Sequence, residues 1–161
     1  MTEKEINIKF HEYSSLDELN KEDRELADAA IDAMKGSYAP YSHFNVGAAV
    51  LLDDGTVVRG ANQENAAFPS GLCAERVALF AAQAHYPEMP VKTLAIAAKN
   101  EHGLTPKPVS PCGACRQVMI EVEQRYHVPM RILLYGTDGV YVVDAAEKLL
   151  PLSFADEDMR Q

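Results

Sequence analysis

All three cysteines of this 161-residue sequence sit in two short stretches, Cys73-Ala74-Glu75-Arg76 and Pro111-Cys112-Gly113-Ala114-Cys115-Arg116. Each stretch opens a segment with helix-favouring composition. A C-x-x-C pair at a helix start sets both sulfurs on one side of the first turn, beside free backbone N–H groups and the positive end of the helix dipole. That setting lowers thiol pKa and favours thiolate, the form that binds metal. Cys73, at the start of another helix, would complete three ligands for a tetrahedral zinc ion. There is no fourth cysteine, and the nearest histidines, His85 and His102, lie well outside both motifs. Three protein ligands and one open position are the pattern of a catalytic zinc site, in which water takes the vacancy. Two other chemistries use the same residues. A dithiol redox pair would leave Cys73 and Glu75 without a role. A closed structural zinc site would need a distant fourth ligand such as His43.

Glu75 separates these readings. Two residues after a ligand, in a turn facing the metal, its carboxylate reaches a water at the open position without ligating the ion itself. Zinc makes hydroxide accessible near neutral pH, and a carboxylate can take and return the proton. Three thiolates make the cluster negative, which works against ionising water. Arg76 is expected to offset this by donating to ligand sulfurs. Arg116 is read as part of a solvated helix face.

The elements that must carry these residues follow from periodicity. Residues 5–13 alternate apolar and polar side chains, as in a short strand or extended arm. Ser15 and Glu18 match a capping box, and a helix is expected over about 21–35. Two apolar runs around Asp54-Gly55 predict a hairpin. Residues 61–72 read as an irregular loop. Helices begin at Cys73 and Cys112. Residues 93–99 and 131–136 have the continuous apolar character of strands buried on both faces, and 140–143 forms a further short strand. A small helical patch is expected at 145–150. This order predicts an α/β domain: a three-layer α/β/α arrangement around a mixed sheet of about five strands.

The length suits one domain, and no linker divides the chain. Fifteen Lys and Arg against 24 Asp and Glu give a net charge of −9. Such a field repels polyanions, so neither nucleic acid nor an anionic membrane is an expected partner. No apolar stretch approaches a membrane span, and the N-terminus lacks the apolar core of a secretion signal. A cytoplasmic setting with reduced thiols is expected.

The stretch SYAPYSHFNVGAAVLLDDGTVVRGANQENAAF, followed by CAERVALFAA and SPCGACRQVM, closely resembles the small tetrameric type of cytidine deaminase. The similarity runs from about Tyr38 to Val118 and resumes weakly at LLPLSF. It implies a cytidine deaminase-like fold with one zinc ion per subunit, held by Cys73, Cys112 and Cys115. It also implies Glu75 as proton shuttle in the conversion of cytidine and 2′-deoxycytidine to the uridines, with release of ammonia in pyrimidine salvage. Asn62 and Glu64 match the family's N-x-E-N stretch, which holds ribose hydroxyls; a carboxylate can accept two of them, and an amide both donates and accepts. A carboxylate there also disfavours a 5′-phosphate. Phe44 resembles an aromatic beside the pyrimidine ring. Phe154 resembles one that closes the pocket of a neighbouring subunit in a homotetramer. Residues 1–15 form an N-terminal extension that short members lack. Phe68-Pro69-Ser70-Gly71 and Ala155-Asp156-Glu157 also depart from the usual pattern. A deaminase of a modified nucleoside such as blasticidin S shares the cysteine motifs but lacks the N-x-E-N loop. A zinc-stabilised nucleoside-binding module without turnover would keep the ligands and have no use for Glu75.

Overall fold

Apolar residues at consecutive positions of one strand must face two different layers, and that requirement organises this molecule. The computed structural model describes residues 1–160. Its sheet contains β1 (His11–Tyr13), β2 (Asn45–Leu52), β3 (Val57–Ala61), β4 (Val91–Asn100), β5 (Gly103–Leu104), β6 (Arg131–Gly136) and β7 (Gly139–Val143). Three helices, α1 (Lys21–Ala33), α2 (Ala74–His85) and α3 (Gly113–Tyr126), cover its faces. The spatial order is β1-β7-β6-β4-β2-β3, with β5 paired to β4. The β4–β6 pairing is parallel and the others are antiparallel, so the sheet is mixed.

Side chains alternate between two cores. Ala48, Val50 and Leu52 pack with Leu79 of α2 and Met119 of α3, whereas Ala49 and Leu51 pack with Leu26 and Ala30 of α1. The three-layer α/β/α arrangement is therefore present. The sheet has seven strands rather than about five, because the end of the 5–13 arm pairs in as β1, three residues long, and because β5, two residues long, is too short to establish a period. Only His11–Tyr13 of the 5–13 segment pairs, against β7, with the Phe10 ring 5.0 Å from that of Tyr141.

Local signals differ in detail. The partner of Glu18 is Ser14, through both its N–H and its hydroxyl, and α1 is capped instead by Asn20, whose Oδ1 accepts from Asp23 N at 2.9 Å. The end of the predicted 21–35 helix tightens into a 3₁₀ turn at Met34–Gly36. The patch near 145–150 is a 3₁₀ turn, Ala146–Leu149.

Two glycines let the helices ride directly on the sheet. A Cβ at Gly47 would run into the Ala30 carbonyl oxygen and stand 2.8 Å from Met34 N, fixing α1 on β2. A Cβ at Gly60 would collide with Ala78 N and stand 2.7 Å from the Ala74 carbonyl oxygen, fixing the first turns of α2 on β3.

Candidate active site

Cys73 caps α2 and Cys112 caps α3, each in extended backbone conformation, so both helix starts point their first turns at a common place. Residues 61–72, read as an irregular loop, are pinned on both sides. Gln63 and Leu72 exchange backbone hydrogen bonds at 2.9 Å, while Tyr38 N donates to Asn62 O and Glu64 N donates to Tyr38 O. A Cβ at Gly71 would stand 3.0 Å from Gln63 O, so glycine permits this close pairing. The loop thus continues the β3 edge outward and delivers Leu72-Cys73 to the helix start.

The three sulfurs converge. Cys73 Sγ lies 3.8 Å from Cys112 Sγ, Cys112 Sγ lies 3.5 Å from Cys115 Sγ, and all three lie within 4.8 Å of one another. None is in a disulfide. Zinc–sulfur bonds of about 2.3 Å in a tetrahedron require neighbouring sulfurs about 3.8 Å apart, so the donor set fits zinc in type, number and spacing. The hydrogen bond from the Cys115 thiol draws the Cys73 thiol down to about 5, against a cost of partial burial, and Arg76 reinforces the shift. The same shared bond pushes Cys115 upward. Arg76 Nη2 stands 3.7 Å from Cys73 Sγ, the contact expected of it.

Glu75 is 4% exposed. Burial pushes its carboxyl above the usual range, with the charge at Cys73 adding to the effect, and it faces the Cys115 thiol. A carboxyl held so is a stronger base than an exposed one, as a proton acceptor requires.

Beside this cluster opens a cavity of about 490 Å³, whose wall includes Tyr41, Asn62, Glu64, Phe68, Cys73 and Arg76. Asn62 and Glu64 already serve the protein. Asn62 Oδ1 accepts from Ser37 Oγ at 2.6 Å and Val46 N at 2.8 Å, and its Nδ2 donates to Phe44 O at 2.9 Å. Glu64 accepts from Tyr41 N at 2.9 Å, Ser42 N at 3.2 Å and the Ser42 hydroxyl. The Ser42 hydroxyl and these amides hold its carboxyl below the usual range. Counting donors and acceptors, one Nδ2–H of Asn62 and about one acceptor position on Glu64 remain for a ligand.

The cavity brings Asn62, Glu64, Cys73 and Arg76 together but is not lined by Phe44 or Phe154. Phe44 is half-buried, and Phe154 is 61% exposed. Sequence reasoning missed Tyr41, Ser42 and Phe68; the proline-punctuated SYAPYSHF loop was the available signal for the first two. Arg116 is not on a solvated face: Nε donates to Pro111 O at 2.9 Å and Nη1 to Leu149 O at 2.7 Å.

Residues 20–130 match the sequence profile of the cytidine and deoxycytidylate deaminase zinc-binding region. The chain belongs to this family of zinc-binding deaminases. Among the family's relatives, the cytidine deaminase of Halalkalibacterium halodurans is 45% identical over 134 residues, covering 83% of this chain and 95% of the relative. That of Sporosarcina psychrophila is 42% identical, covering 79% and 87%. The crystal structure of cytidine deaminase from Burkholderia pseudomallei superposes with a TM-score of 0.70 at 41% identity, covering 81% of this chain and 97% of that one. The family match and the sulfur geometry agree that Cys73, Cys112 and Cys115 are placed to bind zinc.

Proposed function

We propose that this protein is a zinc-dependent hydrolase that deaminates cytidine and 2′-deoxycytidine to the uridines and releases ammonia. The observation that carries this reading is the convergence of three thiols beside the buried Glu75, with Cys73 of that cluster lining the same cavity as Asn62 and Glu64. Zinc, when bound by Cys73, Cys112 and Cys115, supplies Lewis acidity toward water and the charge that orients it.

The chain's own residues do the rest. Glu75 takes a proton from water as its oxygen adds to C4 of the pyrimidine, and delivers that proton to ring N3. It then takes the second proton of the same water and passes it to the departing amine, leaving the C4 carbonyl and ammonia. Burial suits Glu75 to the proton-accepting steps, because a carboxyl with a raised pKa accepts a proton more readily. Arg76 holds the thiolate cluster against its own negative charge. The free Nδ2–H of Asn62 and the remaining acceptor position of Glu64 hold the sugar hydroxyls. The charge on Glu64 disfavours a 5′-phosphate, so nucleosides are turned over in preference to nucleotides.

Phe154 does not line its own chain's cavity and is exposed, as are Phe68 and Phe80. These side chains support a homotetramer in which Phe154 closes a neighbour's site and Phe44 lies near the ring there or in its own subunit. A cytoplasmic enzyme of pyrimidine salvage is the setting that suits three reduced thiols and a nucleoside substrate.

The test is a kcat/KM panel over cytidine, deoxycytidine, cytosine, dCMP and blasticidin S, read by absorbance loss near 280 nm and by released ammonia. Turnover of the first two with little of dCMP is the expected result. Stoichiometric zinc with no turnover of any of the five would overturn the reading in favour of a binding module.

A further inference from the structure

The C-terminal segment lies along α3 and is held to it by three side chains of that helix. Glu123 accepts from Ala146 N at 2.8 Å and Glu147 N at 3.2 Å, at the start of the last 3₁₀ region before the tail. Two turns nearer the sulfurs, about 10.5 Å along the axis, Arg116 donates to Leu149 O, where that turn ends. Gln117 Nε2 then donates to Phe154 O at 2.8 Å. From Ala146 to Leu149 the segment therefore runs antiparallel to α3, toward the end that carries Cys112 and Cys115, and Phe154 is then held at the same level. Arg116 is the one residue of the three that also grips the loop before Cys112, through Nε to Pro111 O at 2.9 Å. A guanidinium presents its donors in a fixed fork, so two carbonyls bound to one such fork are held at a fixed separation. Pro111 and Leu149 are 38 residues apart in the chain and are joined here by a single planar group.

We propose that Arg116 is a positioning residue that latches the C-terminal tail to the loop bearing Cys112, so that zinc loading and tail docking stabilise one another. Zinc drawn between Cys112 and Cys115 orders the Pro111–Arg116 turn, which sets the guanidinium where Leu149 O can meet it. Docking of the tail in turn holds the guanidinium, and with it the Pro111–Cys112 peptide. Such coupling is reciprocal: the factor by which zinc protects the tail equals the factor by which the docked tail strengthens zinc binding. The latch itself stands on the hydrogen bonds; only its coupling to zinc rests on the function proposed above.

The test uses the full-length protein, zinc-loaded and zinc-stripped, with chymotrypsin as probe. Leu152 and Phe154 are exposed cleavage positions in the tail, and mass spectrometry follows their cleavage while a colorimetric chelator follows zinc release. Stripping zinc is expected to speed tail cleavage of the wild type about tenfold, within the usual range of coupling between two sites. Arg116→Gln should cut about as fast with zinc as without it, and should release zinc about tenfold faster than wild type. Arg116→Lys should behave more like the Gln variant than like wild type, because one ammonium cannot hold both carbonyls in a fork. Gln117→Ala, which lacks only the distal contact, should raise cleavage at Phe154 a few-fold and leave zinc release unchanged, an outcome still readable if Arg116→Gln does not fold. Equal tail cleavage of wild type and Arg116→Gln in the zinc-stripped state would overturn the latch. Undiminished zinc protection of the tail in Arg116→Gln would overturn the coupling. A wild-type protein that binds no zinc would overturn the proposed function, while the zinc-free comparison still decides the latch.

Discussion

The two helix starts that supply the sulfurs are held in opposite ways. That of α2 is pressed onto the backbone of β3: Gly60 leaves no space for a Cβ against Ala74 and Ala78, and Ala74, Ala78 and Ala82 line the buried side of the helix. That of α3 has open space at Gly113, where an added Cβ would meet nothing within 4 Å, and Cys112 is exposed. Packing fixes the half that carries Cys73, Glu75 and Arg76. The half that carries the other two sulfurs packs through Cys115 and Met119, but its exposed first residues are tied by the hydrogen bonds of Arg116. Glu75 thus rides on the helix whose start is set by close backbone contact, where small displacements are resisted most steeply, and the start of α3, tied by directional bonds, carries two of the three sulfurs.

The sharpest way to break this asymmetry is at Glu75. Glu75→Gln should lower kcat by roughly three orders of magnitude, in line with the loss of a general acid–base group, while metal analysis finds one zinc per chain as before. Chelation of zinc should abolish turnover yet largely preserve the far-ultraviolet circular dichroism, because both cores are built mainly from aliphatic side chains of the sheet and helices. Gly60→Ala should destabilise by about 3 kcal/mol, from overpacking against helix backbone that has no rotamer to yield, and should depress kcat as α2 shifts; urea denaturation and steady-state kinetics would record both. Arg131→Ala provides a control remote from the sulfurs. Its guanidinium forks onto the 2% exposed Asp23 at 3.0 and 2.9 Å, joining α1 to β6. Leaving that buried carboxylate with the Asn20 amide but no countercharge should lower stability by roughly 3 kcal/mol with kcat unchanged per folded molecule. Gly113→Ala should have the smallest effect, a gain of about 0.4–1 kcal/mol from a restrained unfolded chain. Equal damage from Gly60→Ala and Gly113→Ala would erase the distinction between the two halves.

Features whose cause is local were legible in the sequence. Asp54-Gly55 marks the β2–β3 turn, and Gly55 has the positive φ of 88° that such a turn asks of it. The apolar run at 131–136 is β6 over the same residues. The cysteine motifs open α2 and α3 as expected, although neither thiol makes a capping hydrogen bond. What depended on distant partners was not legible. The 61–72 loop looks irregular because its ladder partners, Tyr38 and its own far end, are brought together only by the fold. Asn62 and Glu64 read as ligand-binding groups, whereas most of their capacity braces the 37–46 segment. Arg116 reads as solvated, because a carbonyl 33 residues away leaves no trace in local composition.

The sheet order has a practical consequence for handling this protein. β1 and β3 are its opposite edges, five strand spacings or roughly 24 Å apart. An affinity tag or reporter domain joined at the amino terminus would hang from the edge remote from the loop that shapes the cavity. The same cargo joined at the carboxyl terminus would pull on a segment fastened two turns along the helix that presents Cys112 and Cys115.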